Sequence, residues 1–350
     1  MTTIAKSCAV VNPSRIETQR HPTLADVAAA AGVSASTASR ALRESPVVGE
    51  GTRQRVFEAA RALGFEPNRI ARSLRTRSSF SIGVVVPDVA TVFWAAALKG
   101  AQDVLERAGY LVLVMSSERE PKREAAALRT LIAHRVDGIL LATSGGYDQP
   151  PAVPVVFFDR LDPAAGTRGV APANRDGIGL LFDHLRGHRH TRIGFVGGHP
   201  GSSSADERLA AFEAAVTAAG LPLRAGYVRH GDAAWSEASG EQAGAELAEL
   251  AERPTAIIAA SDALAVGALR ALRGAGLRVP EDVALVSFDD PVFADLLDPP
   301  VTALSRHDRE VGELAAAMLL EVLTGNPEPG EVRVPLELIV RRSCGCDGRG

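Results

Sequence analysis

The sequence predicts an α/β protein with an all-α helix-turn-helix domain at its N-terminus and a larger two-lobed body of parallel sheets. Three observations support this prediction. Basic residues are concentrated before residue 80, three short amphipathic helices follow one another between residues 23 and 65, and from Phe80 onward apolar runs alternate with helices. With 350 residues, of which 46% are hydrophobic, the chain is long enough for two or three domains.

Charge is distributed unevenly along the chain. Residues 1–79 contain twelve Lys and Arg against six Asp and Glu, whereas the whole chain contains 38 basic and 42 acidic residues and has a net charge of -4. A basic N-terminal segment joined to an acidic body favours a nucleic-acid-binding module attached to a domain with another function. A merely solvated basic face is the alternative that charge alone leaves open.

The N-terminal helices are predicted from their caps. Thr23 and Asp26 form the pattern of a capping box, and Gly32 ends the first helix because the position after a helix often needs a positive φ. Ser34 caps a second helix over Ser36–Leu42. A helix, a short turn with glycine and a second helix are the helix-turn-helix arrangement. A third helix starts near Thr52, and Gly64 ends it.

A short basic segment follows these helices. Pro67 can occupy the first turn of a helix, and Leu74 is an apolar residue among several arginines. A helix of this length is marginal alone in water. Leu74 therefore suits a wedge that kinks a base step from the minor groove. The alternative is that Leu74 packs against the body.

The rest of the chain has the pattern of parallel sheets covered on both faces. We predict strands at Ser81–Val86, Leu111–Met115, Gly138–Ala142, Val155–Phe158, Arg192–Val196, Tyr227–Val228, Ala256–Ala259, Val283–Ser287 and Leu338–Arg341. We predict helices at Trp94–Ala108, Arg123–His134, Asp176–Arg186, Arg208–Ala219, Ser239–Ala251 and Ala263–Ala275. Two successive sets of such units indicate two lobes. Ligands of these sheets bind outside the carboxyl ends of the strands, so we expect a site in the cleft between the lobes.

These patterns divide the chain into five parts. We predict a flexible leader at 1–21, a helix-turn-helix domain at 22–66 and a hinge helix with linker at 67–79. An effector-binding and dimerisation domain of two subdomains follows at 80–345, with a tail at 346–350.

The sequence resembles the LacI/GalR (lactose-repressor) family of transcriptional regulators over residues 22–345. Its N-terminal motifs are Thr23-Leu24-x-Asp26-Val27-Ala28, Ala31-Gly32-Val33-Ser34, Thr37-x-Ser39-Arg40, Thr52-Arg53 and Pro67-Asn68-x-x-Ala71-x-x-Leu74. The motifs of the body include Ile82-Gly83-Val84-Val85-Val86-Pro87-Asp88, Phe158-Asp159-Arg160, Ser261-Asp262, Phe288-Asp289-Asp290 and Leu338-Ile339-Val340-Arg341. The resemblance implies a homodimer that binds pseudopalindromic double-stranded operator DNA and has a periplasmic-binding-protein-like effector domain.

The candidate DNA-contacting residues combine the polar face of the second helix with the matched motifs. They are Thr23, Ser34, Ala35, Ser36, Thr37, Ser39, Arg40, Arg43, Thr52, Asn68, Arg69, Ala71 and Leu74. A recognition helix contacts base edges through its N-terminal residues, and arginine can bind guanine or phosphate. If the second helix is considered without the other motifs, the alternative to a recognition helix is an ordinary exposed helix. Arg43 departs from the asparagine usual in the family.

The candidate effector-binding residues are polar or aromatic residues at predicted strand ends and loop starts, where they can bind a polar ligand. They are Asp88, Phe93, Trp94, Asp159, Arg160, Arg208, Trp235, Ser261, Asp262 and Asp289. For each carboxylate the alternative is a helix cap or a surface ion pair. The sequence departs from the residues usual in the family at Thr91-Val92, Ala173 and Ser261, which are in or near the expected pocket. The effector is therefore predicted only as a small polar molecule such as a sugar.

We predict neither a metal site nor a cofactor. Cys344 and Cys346 lack the spacing of a Cys-x-x-Cys motif, and the three cysteines do not form a disulfide framework. His184, His188 and His190 flank a helix end, where cationic residues favour the helix dipole.

The predicted function is a DNA-binding transcriptional regulator, a repressor, that is controlled allosterically by its ligand. The alternative is a two-lobed small-molecule-binding protein or enzyme with a non-DNA head. A carrier would need an export signal and an enzyme a catalytic dyad, and neither is apparent. No apolar run is long enough for a membrane helix, so we expect a cytoplasmic protein with no membrane partner. Because the chain ends soon after the last predicted strand, we expect a dimer rather than a tetramer.

Overall fold

The computed structural model describes residues 22–65, 78–145, 151–161, 168–326 and 330–346. The chain separates into two compact units, one that ends at Arg77 and one that begins at Ser78. The predicted leader, residues 347–350 of the predicted tail and most of the predicted hinge are outside the described residues. Four candidate DNA-contacting residues are therefore also outside them: Asn68, Arg69, Ala71 and Leu74.

Three short helices form the described part of the N-terminal unit: α1 (Leu24–Ala30), α2 (Ala35–Ala41) and α3 (Glu50–Leu63). Its core consists of small and β-branched residues from all three helices and from the turns that join them: Val27, Ala28, Ala31, Ala38, Ala41, Val48, Val56 and Ala60. The predicted order of helix, turn and helix is confirmed.

The caps of these helices are also confirmed. The Thr23 hydroxyl accepts a hydrogen bond from the N–H of Asp26, and the Asp26 carboxylate accepts one from the N–H of Thr23. The Ser34 hydroxyl accepts a hydrogen bond from the N–H of Thr37 at the start of α2. Gly64 ends α3 with a φ of 63°, a conformation that strains any other residue.

Two six-stranded sheets form the body. The strands are β1 (Ser81–Val86), β2 (Leu111–Ser116), β3 (Gly138–Leu141), β4 (Val155–Phe158), β5 (Gly169–Pro172), β6 (Ile193–Gly197), β7 (Val228–His230), β8 (Ala256–Ala259), β9 (Ala284–Ser287), β10 (Thr302–Ser305), β11 (Glu331–Val334) and β12 (Glu337–Ile339). Their order is β11-β5-β4-β3-β1-β2 in lobe 1 and β12-β10-β9-β8-β6-β7 in lobe 2. The prediction of parallel sheets holds except for β12, which pairs antiparallel with β10.

Helices cover both sheets. They are α4 (Val92–Arg107), α5 (Pro121–Ala133), α6 (Asn174–Gly187), α7 (Ser203–Ala218), α8 (Glu237–Ala248), α9 (Asp262–Gly274) and α10 (Asp308–Leu323). Close helix packing in lobe 1 depends on glycine, because a Cβ at Gly312 of α10 would lie 1.8 Å from the carbonyl oxygen of Ala97 on α4. None of the helices of the described ranges has the length and apolarity needed to cross a membrane.

The chain crosses between the lobes after β5, after β10 and between β11 and β12. Our predictions omit β5, β10, β11 and α10. The strands have only four residues each, too few for a clear alternation of apolar and polar positions. For α10 the signal was present, because Val311, Ala315, Met318 and Leu319 are buried at helical spacing.

Candidate functional site

A cavity of about 530 Å³ lies between the two lobes of the body. Residues that follow the carboxyl ends of strands line it from both sides: Asp88 after β1 and Asp159 after β4 in lobe 1, and Asp289 after β9 in lobe 2. Its volume lies within the range of small-molecule sites. Parallel strands of each sheet bring their carboxyl ends to one edge, which explains why residues distant in sequence meet here.

All ten candidate effector-binding residues line this cavity. They are Asp88, Phe93, Trp94, Asp159, Arg160, Arg208, Trp235, Ser261, Asp262 and Asp289. The structure therefore brings together every residue of the predicted set, although several of them already have partners within the protein.

Arg306, which our sequence analysis did not select, contacts carboxylates from both sides of the cavity. It follows β10, and its guanidinium donates to Asp159 Oδ1 of lobe 1 and to Asp289 Oδ1 of lobe 2, each at 2.7 Å. The guanidinium carbon is also 3.9 Å from the ring centroid of Phe93. Burial opposes the charge, but the two carboxylates outweigh it and raise the pKa of Arg306 above its ordinary value. Arg306 thus links the lobes across the cleft.

Arg208 is buried beneath the lobe 2 side of the cavity. Its Nε donates to Asn174 Oδ1 at 2.9 Å and its Nη1 donates to the carbonyl oxygen of Ala260 at 2.6 Å, while Nη1 is 3.8 Å from Asp289 Oδ1. Its guanidinium carbon is 3.6 Å from the ring centroid of Phe288. Burial lowers the pKa of Arg208 to about 10. Much of its hydrogen-bonding capacity is used within lobe 2.

The predicted start of this helix at Arg208 is wrong. Helix α7 begins at Ser203 rather than at Arg208, so Arg208 lies in its second turn. The residues before Arg208 are small or polar, which favours a loop by composition, yet Asp206 and Glu207 are equally typical of the first turn of a helix. Position in a helix makes this arginine more rigid than a loop would.

Three aromatic residues contribute apolar surface to the cavity. Trp94 is 4% exposed and packs edge-on against Phe158 with 5.4 Å between ring centroids, so it also belongs to the core of lobe 1. Trp235 lies on the opposite lobe against Gly198, where a Cβ would come within 2.1 Å of the indole ring. Phe93 packs beneath Arg306. Aromatic faces of this kind can contact the C–H face of a ring-shaped ligand.

Ser261 and Asp262 serve the helix that follows them. The Ser261 hydroxyl accepts a hydrogen bond from the N–H of Leu264 and caps α9. Burial and the charge of Asp289 raise the pKa of Asp262 to about 6. Burial also raises the pKa of Asp308, which our sequence analysis missed, to about 6. These two carboxyls are therefore protonated more readily than ordinary aspartates at mildly acidic pH, and they are largely ionised at pH 7.

Asp88 and Arg160 differ in how many of their polar atoms have hydrogen-bond partners within the protein. Asp88 Oδ2 is 3.0 Å from Arg119 Nη1, and its Oδ1 accepts a hydrogen bond from the N–H of Ala90. Arg160 is 9% exposed, and burial lowers its pKa. Within the described residues, the Nε atoms of three cavity arginines, Arg119, Arg160 and Arg306, have no hydrogen-bond partner, although Arg306 Nε lies 3.5 Å from Asp308 Oδ1. A ligand with hydroxyl groups could accept from such donors.

The second helix of the N-terminal unit presents a polar surface. Ala35, Ser36 and Arg40 are exposed, whereas Thr37 and Ser39 are partly exposed. The Ser34 hydroxyl lies 2.9 Å from the hydroxyls of both Ser36 and Thr37, which forms a compact hydroxyl cluster at the start of α2.

Other candidate DNA contacts have partners in the N-terminal unit. Arg43 is exposed but its Nε donates to the carbonyl oxygen of Ser39 at 3.0 Å, which caps the C-terminus of α2. The Thr52 hydroxyl accepts from Arg55 at 3.3 Å, and the Thr23 hydroxyl donates to Asp26 at 2.7 Å. The described residues include two arginines of the candidate set, Arg40 and Arg43. Arg43 is hydrogen-bonded to α2, whereas the Arg40 side chain forms no hydrogen bond or ion pair within the described residues.

Two family models match the chain, one in the N-terminal unit and one in the body. Residues 23–68 match the model of bacterial regulatory proteins of the lacI family. Residues 182–344 match the model of a periplasmic binding protein-like domain, which includes most of lobe 2.

Relatives match over nearly the whole chain. The HTH-type transcriptional repressor PurR of Aliivibrio salmonicida is 30% identical over 306 residues, which are 85% of this chain and 91% of that repressor. A crystal structure of the Lac repressor dimer, bound to operator and the anti-inducer ONPF, is 28% identical with a TM-score of 0.85 over 93% of this chain and 99% of that one. The transcriptional regulator CelR in complex with cellobiose is 31% identical with a TM-score of 0.69 over 92% and 99% of the two chains.

The match therefore extends through both units of the fold, and the resemblance noted in the sequence is confirmed. The relatives are regulators rather than enzymes, so the enzyme alternative is set aside. The chain is a DNA-binding transcriptional regulator with an effector-binding domain, and it belongs to the lacI family of bacterial regulatory proteins.

Proposed function

We propose that this protein is a cytoplasmic repressor that binds a pseudopalindromic operator as a homodimer. Its affinity for the operator falls or rises when a small neutral polyhydroxylated ligand, such as a sugar, occupies the cleft. The observation that carries the proposal is the cavity of about 530 Å³ whose lining combines charged pairs with aromatic rings. The matching Lac repressor is a dimer bound to operator, and CelR is bound to cellobiose.

The charges of the cavity favour a neutral ligand. Its lining includes four arginines, Arg119, Arg160, Arg208 and Arg306, and six aspartates, Asp88, Asp159, Asp262, Asp289, Asp290 and Asp308. Arginines supply donors and carboxylates supply acceptors, so adjacent hydroxyl groups find both. A strongly anionic ligand would meet the excess of carboxylates, and a strongly cationic one would compete with the arginines already paired to them.

Two ion pairs between the lobes can connect ligand binding to the arrangement of the lobes. Arg306 of lobe 2 pairs with Asp159 of lobe 1 at the cavity. At the edge of the cleft, both Nη atoms of Arg333 on β11 donate to the carboxylate of Glu207 on α7 at 2.7 Å. A ligand that binds the carboxylate of Asp159 or Asp289 competes with Arg306 for that carboxylate. Its binding free energy therefore differs between arrangements of the lobes in which the pair of Arg306 and Asp159 is intact and those in which it is broken.

A homodimer accounts for exposed apolar residues of the body. Phe293 and Leu296 are 73% and 81% exposed near the cleft of lobe 2, and Leu111 and Val114 on the edge strand β2 are 47% and 46% exposed. Exposed apolar clusters of this kind mark interaction sites. Isologous contact through a two-fold axis would place two α2 helices on the halves of a palindrome.

The proposal is tested in two linked steps. A thermal-shift screen of neutral sugars and nucleosides identifies the ligand, since a ligand at 100 times its Kd adds about 2.7 kcal/mol of stability. DNA selected from a random pool by the full chain then identifies the operator, and fluorescence anisotropy measures its affinity with and without the ligand. The expected result is a pseudopalindromic site whose affinity changes at saturating ligand. A stabilising ligand that leaves operator affinity unchanged would contradict the allosteric part of the proposal.

A further inference from the structure

Four side chains that can bind a metal ion meet in lobe 2, and none of them lines the cavity. His184 and His188 lie one turn apart at the C-terminal end of α6, and Cys344 and Cys346 lie in the turn that follows β12. One ligating atom from each of the four residues lies within 4.8 Å of all the others. About 160 residues of chain separate the histidines from the cysteines, so the fold rather than the sequence creates this group.

The individual distances are those of a compact cluster. Cys346 Sγ is 3.0 Å from His188 Nε2 and 3.9 Å from His184 Nε2. The rings of His184 and His188 are 5.0 Å apart between centroids and are inclined at 68°. His190, the third histidine of this segment, is not a member, because its Nδ1 lies 3.0 Å from the hydroxyl of Thr255.

The turn that carries the cysteines is anchored to the sheet of lobe 2. The N–H of Ser343 donates to the carbonyl oxygen of Pro300 at 3.0 Å, and the N–H of Leu285 donates to the carbonyl oxygen of Ser343 at 2.8 Å. Cys344 is 1% exposed. Its Sγ accepts a hydrogen bond from the hydroxyl of Thr302 at 3.1 Å. The position of the first sulfur is therefore set by tertiary contacts.

Gly345 allows both sulfurs to face the histidines. Its φ is +95°, in the region that strains residues with a Cβ, and a Cβ built there would lie 4.0 Å from His188 Nδ1. A left-handed residue between the cysteines reverses the chain, so that Cys344 and Cys346 approach α6 from one side.

We infer that His184, His188, Cys344 and Cys346 bind one Zn²⁺ ion as a structural site. Two thiolates and two imidazole nitrogens are the ligand set of closed tetrahedral zinc sites, with distances of about 2.3 Å to sulfur and about 2.0–2.1 Å to nitrogen. At those distances neighbouring ligand atoms in a tetrahedron are about 3.3–3.8 Å apart. The cluster reaches that arrangement by small side-chain rotations, since all four atoms already lie within 4.8 Å.

Metal binding here requires deprotonation of both thiols. Each cysteine loses its proton to solvent as its sulfur binds the ion, and each histidine binds through a neutral ring nitrogen, so two protons leave for each Zn²⁺ bound. Burial opposes ionisation of Cys344, yet hydrogen bonds from His184 and Thr302 outweigh it and lower the pKa of this thiol to about 7. The Thr302 hydroxyl would then act as an outer-sphere donor to the bound thiolate.

The ion would fasten the C-terminal turn to the end of α6. Our domain prediction places Cys346 in a tail beyond the body, whereas the structure places its sulfur against His188 of that body. A cross-link between segments this distant in sequence restricts the unfolded chain more than the folded one. Zinc is therefore expected to stabilise lobe 2 without entering the effector cavity, because none of the four residues lines it.

The test uses the full chain without a polyhistidine tag, purified in a phosphine reductant. Elemental analysis after dialysis against zinc is expected to give about one Zn²⁺ per chain. Replacement by Co²⁺ is expected to give thiolate-to-cobalt charge-transfer bands and intense visible bands of a tetrahedral site. Removal of the ion with a chelator is expected to lower the Tm, and added Zn²⁺ is expected to restore it.

Two ligand variants and one matched control identify the residues. Cys346→Ser and His188→Ala each remove a partly exposed or exposed ligand and are expected to weaken Zn²⁺ binding by about tenfold or more. His190→Ala removes a nearby histidine outside the cluster and is expected to retain full zinc content. Cys8→Ser, which removes the remaining cysteine, is expected to retain the cobalt bands.

Three results would overturn the inference. They are the absence of bound zinc from the folded wild-type chain, full zinc content in both ligand variants, and formation of a Cys344–Cys346 disulfide under the same reducing conditions. The wild-type measurement does not depend on whether a variant folds. It also does not depend on ligand or operator binding, so its failure would leave the proposed function untouched.

Discussion

Arg306 and Asp159 form a buried ion pair across the cleft, with 2.7 Å between Nη2 and Oδ1 and with each side chain 7% exposed. Arg306 belongs to the lobe of β10 and Asp159 to the lobe of β4, so the pair is a direct contact between the lobes. The same guanidinium binds Asp289 at 2.7 Å. One arginine thus neutralises a carboxylate from each side of the cavity.

Replacement of Arg306 by alanine should destabilise the body strongly. Asp159 and Asp289 would remain close together without their shared cation, and removing one partner from a buried pair costs about 3–5 kcal/mol. Arg306→Lys keeps the charge but cannot bind both carboxylates through one planar group, so an intermediate loss is expected. Urea unfolding measures both. Arg270→Ala is the control, because its pairs with Glu237 and Glu241 are exposed and contribute little to stability. Equal losses in Arg306→Ala and the control would contradict a linking role.

Asp289→Asn should weaken effector binding by about tenfold or more, because the amide keeps the size of the side chain but replaces an acceptor by a donor where Arg306 and the ligand need acceptors. DNA affinity without ligand should change little, since the two sites are coupled only through the lobes. Calorimetry with the ligand identified by screening measures the first effect. Asp282→Asn is the control, because Asp282 pairs with Arg278 outside the cavity. Unchanged ligand affinity in Asp289→Asn would remove it from the site.

Arg208→Ala is expected to reduce both effector affinity and stability. Its bonds to Asn174 and to the carbonyl oxygen of Ala260 would be lost inside lobe 2, and each acceptor left buried and unsatisfied costs about 1–3 kcal/mol. Two quantities are measured for the variant and the wild type: the Tm of the ligand-free chain and the affinity for the ligand. A variant with normal Tm and lost affinity would show that Arg208 acts on the ligand alone.

Arg40→Ala should cost roughly 1–3 kcal/mol of binding free energy on the operator, because its exposed guanidinium can bind guanine or phosphate. If Arg40 reads a base, the loss on random DNA should be smaller. Anisotropy titrations on both DNAs at one salt concentration measure this. The control is Arg61→Ala, an exposed arginine in the last turn of α3. The absence of a loss on either DNA would contradict a contact by Arg40.

Asp262→Asn should make stability less dependent on pH. Because burial raises the pKa of Asp262 to about 6 from 3.8, the folded chain holds this proton more tightly than the unfolded chain does. This contribution to stability is complete below about pH 4 and is lost as the pH rises through 6. Between pH 4 and 7 the free energy of unfolding of the variant should therefore rise relative to that of the wild type by on the order of 2–3 kcal/mol. Urea unfolding between pH 4 and 7 measures it, with Asp298→Asn, whose side chain is 85% exposed, as the control. Parallel wild-type and Asp262→Asn curves would contradict the prediction.

The local features of the fold were predictable from the sequence. Thr23, Ser34 and Gly64 bound the N-terminal helices as predicted, because a cap depends on residues within a few positions of each other. The strand and helix alternation of the body was also predictable from apolar periodicity. The start of α7 was not, since small polar residues suit a loop and a first helical turn equally.

The candidate cavity was predictable only in part. Parallel sheets bring strand ends together, so residues such as Asp159 and Asp289 could be selected without coordinates. Arg306 was missed because β10 has four residues and gives no clear alternation, although an arginine after a strand followed by an acidic helix start is a signal that could have found it.

The sequence by itself determined the order of the units, their caps and strands, and the family, because each depends on short-range pattern or on motifs. Only the tertiary structure decided that Arg306 joins Asp159 to Asp289 and that His188 meets Cys346. Both groupings unite residues more than a hundred positions apart. Spacing along the chain carries no information about such meetings, because they arise from the way in which packed sheets and helices bring distant turns to one place.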